Sequence, residues 1–526
     1  MRQKFLKKIR VIISLVVFLF TIFIFIDFAH LFSSKVIHAI LFLQFVPSLL
    51  DFVNVLTFAA TGFIFISLIT LLFGRVYCSF LCPLGVFQDI FIGISSRIRK
   101  FKKGRRWKYT SSRHILQYSI LAASLVLLFL FRSLVFVNLL DPYSISGKMF
   151  TNLFRPVYYM ANNLMADVFK AFHSYALYPI ALKHISWPAV IFSGMLFITF
   201  MLLSVFRTRW YCNAICPVGT TLGLLSRVSL FKLRIDEASC NACGACERKC
   251  KAGCIDYRRN KIDFDRCVAC FNCIPACPSG GVGYHLSLKK ENTPVTESGK
   301  SRRNFLKTSV TGVAGLGTVL SVKKIFAANE KTSSTSVSPV TPPGSVSIWH
   351  FRETCTACHL CINACPTKVL QPAFLEYGLS GLFQPRLDYH TEYCNFECIR
   401  CSEVCPTGAI FPVTKEEKST IQIGISKFIK NLCVVVANHT ACAACSEHCP
   451  TKAVEMVPYL GDLKIPQIDE KICVGCGACE FACPVRPERS IYVEAHNYHH
   501  TAMKPLKKVE GEKKEKEVKP ADDFPF

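Results

Sequence analysis

Cys240-Asn-Ala-Cys243-Gly-Ala-Cys246-Glu-Arg-Lys-Cys250 and Cys267-Val-Ala-Cys270-Phe-Asn-Cys273-Ile-Pro-Ala-Cys277-Pro278 repeat one spacing, C-x2-C-x2-C-x3-C. Three thiolates at that spacing wrap one [4Fe-4S] cube, while the fourth turns away to ligate a second. The expected ligand sets are Cys240, Cys243, Cys246 and Cys277 for one cube, and Cys267, Cys270, Cys273 and Cys250 for the other. Cys250 lacks the proline that follows Cys277, so the neighbouring Cys254 stays open as its replacement.

Further along, the theme returns four times: Cys355, Cys358, Cys361, Cys365; Cys394, Cys398, Cys401, Cys405; Cys433, Cys442, Cys445, Cys449; and Cys473, Cys476, Cys479, Cys483, each group closed by a proline. The outer two groups keep the regular spacing and the inner two are stretched at the first ligand. The set resembles four-cluster electron-transfer subunits. In that family the first group pairs with the fourth and the second with the third, which implies that Cys365 exchanges with Cys483 and Cys405 with Cys449. Disulfides or zinc knuckles would not need six near-copies of one spacing, five of them ending in Cys-Pro. Six [4Fe-4S] clusters are expected.

The 526 residues divide sharply by composition, for only two of the 29 cysteines, Cys78 and Cys82, lie before residue 207. Apolar spans are expected at Arg10–Phe28, Phe52–Phe73, Ile115–Val137 and Ala189–Phe206, with residues 36–50 lying on or dipping into the surface. Ten Lys or Arg in 74–113 against four in 139–187 make the first loop cytoplasmic and the second external. Four crossings leave the amino terminus and residues 207–300 inside. The net charge of +26 clusters beside these spans, so it orients a membrane protein rather than binding nucleic acid.

Cys78-Ser-Phe-Leu-Cys82-Pro83 and Cys212-Asn-Ala-Ile-Cys216-Pro217 form a different, internally repeated motif. Each follows a span, each is preceded by an Arg and a Tyr (Arg75, Tyr77; Arg209, Tyr211), and each continues with a Gly at 85 or 219. Four sulfurs at one face suit a redox thiol pair or a metal site.

Between the two cysteine-rich stretches, Ser301-Arg302-Arg303-Asn304-Phe305-Leu306-Lys307 and the mild apolar run to Ala328 resemble a twin-arginine export signal, an address for proteins exported already folded. The expected architecture is multidomain. An α-helical membrane domain of four spans (1–235) carries a fifth, twin-arginine segment (300–328), with small α+β ferredoxin-like iron-sulfur domains on both sides, at 236–290 inside and 348–495 outside. A Ser/Thr/Pro linker occupies 329–347 and a charged tail 504–526.

Residues 1–290 look like the NapH-type membrane ferredoxins, and residues 300–500 look like the exported NapG-type ferredoxins, here fused. The resemblance implies a quinol dehydrogenase component in the bacterial inner membrane. It would take electrons from the quinone pool to a periplasmic reductase of nitrate-reductase type or a cytochrome c, its outer half delivered by the twin-arginine translocase. The two-motif frame also occurs in NosR-type regulators and RdxA/CcoG-type copper reductases, which implies an assembly or regulatory role as the alternative. Polar residues at a bilayer are costly and often functional. Asp27, His30, His38, Gln44 and Asp51 are candidates for an outer quinol site, with Arg132 and Asp141 nearby, and His114 and Gln117 for an inner one. The run His496–His500 reads as a solvated end.

Overall fold

The computed structural model describes residues 4–27, 32–55, 61–101, 108–111, 113–131, 134–180, 185–286 and 338–504. The twin-arginine stretch, the charged tail, His30 and Arg132 lie outside them. Two described helices are long and apolar enough to cross a bilayer, Phe5–Ile26 and Trp187–Arg207. The expected surface helix is instead a pair, Ser34–Phe42 and Phe45–Val55, bent by 105° at Gln44. The expected second and third spans give shorter helices, Gly62–Phe73 and His114–Phe131.

The stretch expected as an external loop holds a helix that the charge pattern did not announce. Asp141 caps Pro142–Met149, accepting from the Ser144 backbone N–H, and Pro142 supplies a preset first turn. All eight residues of this helix are buried, and a π turn, Phe150–Phe154, carries it into Arg155–Ala171. Apolar rings explain the burial, since Phe25 packs on both Tyr143 and Phe150.

Two cluster-bearing units sit at opposite ends of the helices. Residues 231–286 close on an antiparallel pair, Phe231–Ile235 with Val282–Leu286, and rest on the end of Gly62–Phe73. There the Leu230 N–H donates to the Leu71 carbonyl and the Tyr284 hydroxyl to that of Phe73. Residues 338–504 carry three antiparallel pairs, of which Ile421–Phe428 with Ile491–Thr501 is the longest. This unit runs further than 348–495 at both ends, since Val340 bridges Leu387 and Ser347 bridges Tyr498. His499 is thus tied into the fold by Thr341, 2.8 Å away, rather than trailing in solvent.

The C-terminal unit docks on the other helix ends. Asn363 donates to the Ile24 carbonyl (3.0 Å), Asn54 to Thr407 (2.9 Å) and Asn138 to Leu382 (2.8 Å). Phe192, one turn into Trp187–Arg207, stacks on Phe383 at 4.4 Å.

Candidate iron-sulfur centres and the paired thiol site

Every cysteine is a free thiol. In the regularly spaced groups the residue before the second cysteine and the residue after it both take positive φ: Ala242 and Gly244, Ala269 and Phe271, Ala357 and His359, Gly475 and Gly477. This pair of left-handed residues coils the backbone around a centre, with its amides available to sulfur. Left-handed geometry costs a non-glycine residue roughly 1–2 kcal/mol, so five non-glycine residues there, Ala242, Ala269, Phe271, Ala357 and His359, signal a constraint stronger than local preference. The stretched groups at Cys394 and Cys433 do without this arrangement.

Within 231–286 the expected sets are brought together. Cys246 feels the charge of Cys277 and Cys240, and Cys273 that of Cys270, Cys267 and Cys250. Cys254 stands 3.6 Å from Cys250 and also hydrogen-bonds Cys267, so both alternatives for the fourth ligand lie at the same centre. The Cys254 hydrogen bond holds the Cys250 thiol down to about 7.

The C-terminal pairing corrects the expectation. Cys355, Cys358 and Cys361 gather with Cys405, not Cys483. Cys394, Cys398 and Cys401 gather with Cys365, and these four line one small hollow. Cys473, Cys476 and Cys479 gather with Cys449, which leaves Cys483 to Cys433, Cys442 and Cys445. First pairs with second and third with fourth, so the unit is built as two modules in series, each of two exchanged cysteine groups. The reason is proximity, since the short helices Leu360–Ala364 and Arg400–Glu403 pack together, as do Ala444–Glu447 and Ala478–Ala482.

These quartets fit iron-sulfur clusters. Burial pushes the thiols of Cys358, Cys445 and Cys476 up to about 12, so as bare side chains they would stay protonated. A ligating thiol must lose its proton, and a bound metal provides the compensation. Backbone N–H groups already aim at sulfur, Ala357 at Cys355 and Ile410 at Cys405, each at 3.4 Å.

The Cys78/Cys82 and Cys212/Cys216 motifs are brought together as the repeat suggested, and the contacts are reciprocal. Gly74 (φ 75°) and Thr208 (φ 57°) turn the chain by the same left-handed step before each arginine. Arg75 Nη2 lies 3.8 Å from Cys78 Sγ in its own motif and donates to the Cys212 carbonyl in the other at 2.9 Å. Arg209 Nη1 lies 3.9 Å from Cys212 Sγ and donates to the Cys78 carbonyl at 2.8 Å. Gly85 N–H points at Cys82 Sγ (3.4 Å) and Gly219 N–H at Cys216 Sγ (3.3 Å). Helix Gly62–Phe73 packs on Pro217–Ser226 and Trp187–Arg207 on Pro83–Phe101, so the halves interlock.

Sequence reasoning missed the charges around this site. Asp89 is shared by Arg10 (2.5 Å), Arg209 (2.9 Å) and Lys251 (3.2 Å). The one available signal was their position, charges set where apolar spans meet the motifs. Of the quinol candidates, His38 and Asp51 fall within reach of each other's charge. Asp27 instead accepts from the Phe32 N–H at the end of the first helix. Gln44 is fully buried and accepts from Tyr77, while Gln117 donates to the Asn213 carbonyl. Asp141 is the buried cap described above. Beside it, Lys148 is fully buried on the Asn138 carbonyl (2.8 Å), and the Tyr143 hydroxyl has no partner among the described residues.

Coiled cysteine loops, paired quartets and N–H···S contacts define a [4Fe-4S] ferredoxin-type electron-transfer protein. Comparison with known families agrees. A model described as 4Fe-4S binding domain matches residues 55–102 and 189–236, a second of the same description matches 348–371, and a 4Fe-4S dicluster domain matches 440–486. The chain belongs to the family of the ferredoxin-type protein NapF: it is 31% identical to that protein of Escherichia coli over 157 residues, 30% of this chain and 87% of the relative. It is also 29% identical to the ferredoxin-type protein NapG of the same organism, over 35% of this chain and 80% of that one. To the methylamine utilization ferredoxin-type protein MauM of Methylophilus methylotrophus it is 28% identical, over 28% and 67%. No solved structure matches.

Proposed function

We propose that the chain is a membrane-bound quinol dehydrogenase component that fuses a NapH-like half to a NapG-like half and carries electrons outward through six [4Fe-4S] clusters. The observation that supports this best is the separation of the two cluster-bearing units along shared helices. Ala189 packs beside Ala357 of the C-terminal unit, and the Arg209 N–H meets the Lys251 carbonyl of the other. Eighteen residues of helix between 189 and 207, at about 1.5 Å each, span roughly 27 Å, close to a hydrocarbon layer of about 30 Å. On this reading four segments cross the inner membrane, residues 231–286 face the cytoplasm and the C-terminal unit faces the periplasm. The segment 301–328 is the twin-arginine address, retained as a tether.

The bound clusters supply one-electron chemistry. The protein's own part is to hold each thiol quartet dry and to put one quartet at the outer end of the helices. Gly147 on the buried helix lies against the Cys358 backbone: a Cβ there would sit 2.2 Å from the Cys358 carbonyl oxygen. Quinol oxidised near this face would release electrons toward Cys355, Cys358, Cys361 and Cys405 and protons to the outside, with His38 and Asp51 as the polar pair toward the surface. The acceptor would be a periplasmic reductase or a cytochrome c. Membranes containing the full chain should lose cluster absorbance when excess quinol is added. Absorbance that dithionite bleaches and quinol leaves unchanged would remove the quinol step and keep the electron-transfer class.

A further inference from the structure

A helix on the surface of a water-soluble protein turns its apolar stripe inward. Arg155–Ala171, which the π turn joins to the buried helix Pro142–Met149, does the reverse. Val157, Met160, Ala161, Leu164, Met165 and Val168 recur at intervals of three and four, so they share one face, and all six are exposed. Leu164, in the middle of the stripe, is 67% exposed. The buried side is the opposite one, with Tyr159 and Ala166. Asp167 falls at the margin of the stripe and Lys170 behind it, so no charge interrupts it.

The chain then doubles back along this helix. Asn162 donates to the Tyr178 carbonyl (2.9 Å), and Asn163 exchanges two hydrogen bonds with the Ile180 backbone (2.9 and 2.7 Å). The returning segment adds Phe172, Tyr175, Leu177 and Tyr178 to the exposed apolar surface. Both ends of this hairpin meet the last long helix. At its start Asn152 donates to Ser193 (2.9 Å), and the Phe154 ring lies 6.1 Å from that of Phe197. Beyond its end the chain enters Trp187–Arg207, whose own exposed flank begins there with Trp187, Ile191, Met195 and Ile198.

We propose that the hairpin of residues 155–180 lies in the plane of the membrane, its apolar stripe sunk into the boundary between headgroups and acyl chains of the outer leaflet. This rests on the membrane reading above, in which Trp187–Arg207 crosses the bilayer. Three observations favour lipid as the occupant. The stripe adjoins the exposed flank of that helix, so one medium covers both. Tyr175, Tyr178 and Trp187 each join an apolar ring to one polar group, the composition of the aromatic belts at membrane interfaces. Depth agrees as well, since in-plane helices sink about 5–10 Å. Ser193 at the start of the hairpin and Trp187 beyond its end are six residues apart on one helix, about 9 Å at 1.5 Å per residue. Held there, the hairpin sets the depth of Pro142–Met149, and with it that of the Cys358 loop against Gly147.

Four native methionines of similar exposure provide the test without any substitution. Met160 (61%) and Met165 (47%) border the stripe, Met195 (56%) lies on the flank of the crossing helix, and Met503 (64%) belongs to the C-terminal unit. The full chain, one copy per nanodisc of phosphatidylethanolamine and phosphatidylglycerol, is given a brief pulse of hydroxyl radicals and mapped by peptide mass. Met160 and Met165 should be oxidised about tenfold more slowly than Met503 and no faster than Met195. Oxidation of Met160 and Met165 at the Met503 rate, with Met195 spared, would overturn the proposal and leave the crossing helix standing. Fast oxidation of all four would remove the membrane reading, and the place of the hairpin with it. In cell membranes, p-benzoylphenylalanine placed at Leu164 should yield lipid adducts on illumination; adducts to protein alone would refute lipid as the occupant.

Discussion

His499 shows how a single side chain ties the last strand of the C-terminal unit to the segment that opens it. Its Nε2 meets Thr341 Oγ1 at 2.8 Å, and burial, with His496 and His500 alongside, pushes its pKa down to about 4. The unfolded chain takes up that proton near 6.5, so the full stabilisation is present above 6.5 and is lost as the pH falls toward 4, up to about 3 kcal/mol. Thermal unfolding of the C-terminal unit, followed between pH 7.5 and 5.5, should shift down with acid in the wild type and less in His499→Gln. At Gly85 the constraint is steric. A Cβ would lie 2.2 Å from the Cys78 carbonyl oxygen and 2.7 Å from Arg209 Nη1, and Gly219 meets Cys212 and Arg75 in the same way. Gly85→Ala and Gly219→Ala should each destabilise the helical unit by about 1–3 kcal/mol in detergent melts. Gly93→Ala, with nothing within 4 Å of its Cβ, should leave the melt unchanged or raise it.

Cluster pairing belongs to the scale of elements. Cys405→Ser should expose Cys355, Cys358 and Cys361 to alkylation, whereas Cys483→Ser should expose Cys433, Cys442 and Cys445; peptide mass mapping reads both. The opposite pattern would restore the first-with-fourth arrangement. The ferredoxin-type cysteines could be read as expected ligands because C-x2-C, repeated at short intervals, is a local signature. Which group lends its fourth thiol to which was not, because every group of the C-terminal unit ends in the same C-x2-C-x3-C-P run and only the packing of the short helices decides. The helix Pro142–Met149 was illegible for a related reason. PYSISGKM reads as a polar loop, and its burial depends on Phe25 and on a unit docked more than two hundred residues further along. The two-motif repeat, by contrast, could be read directly, although the reach of each arginine into the other motif could not.

For the whole molecule, the contact between the helical and C-terminal units is polar at Asn54, Asn138 and Asn363 and aromatic at Phe192 and Phe383. A protease site placed between residues 330 and 336 should therefore be cut without parting the units in detergent. Adding Asn138→Ala and Phe192→Ala should let them separate on a sizing column. The reciprocal arginines carry a consequence for biosynthesis. Arg209 reaches back 131 residues to Cys78, and Arg75 waits 137 residues for Cys212. At roughly 5–20 residues per second, the ribosome needs about 7–27 s to supply the second motif after the first. Throughout that interval the guanidinium and two thiols of the earlier motif lack the partners that the later one supplies, so this site closes only after the second motif has been made.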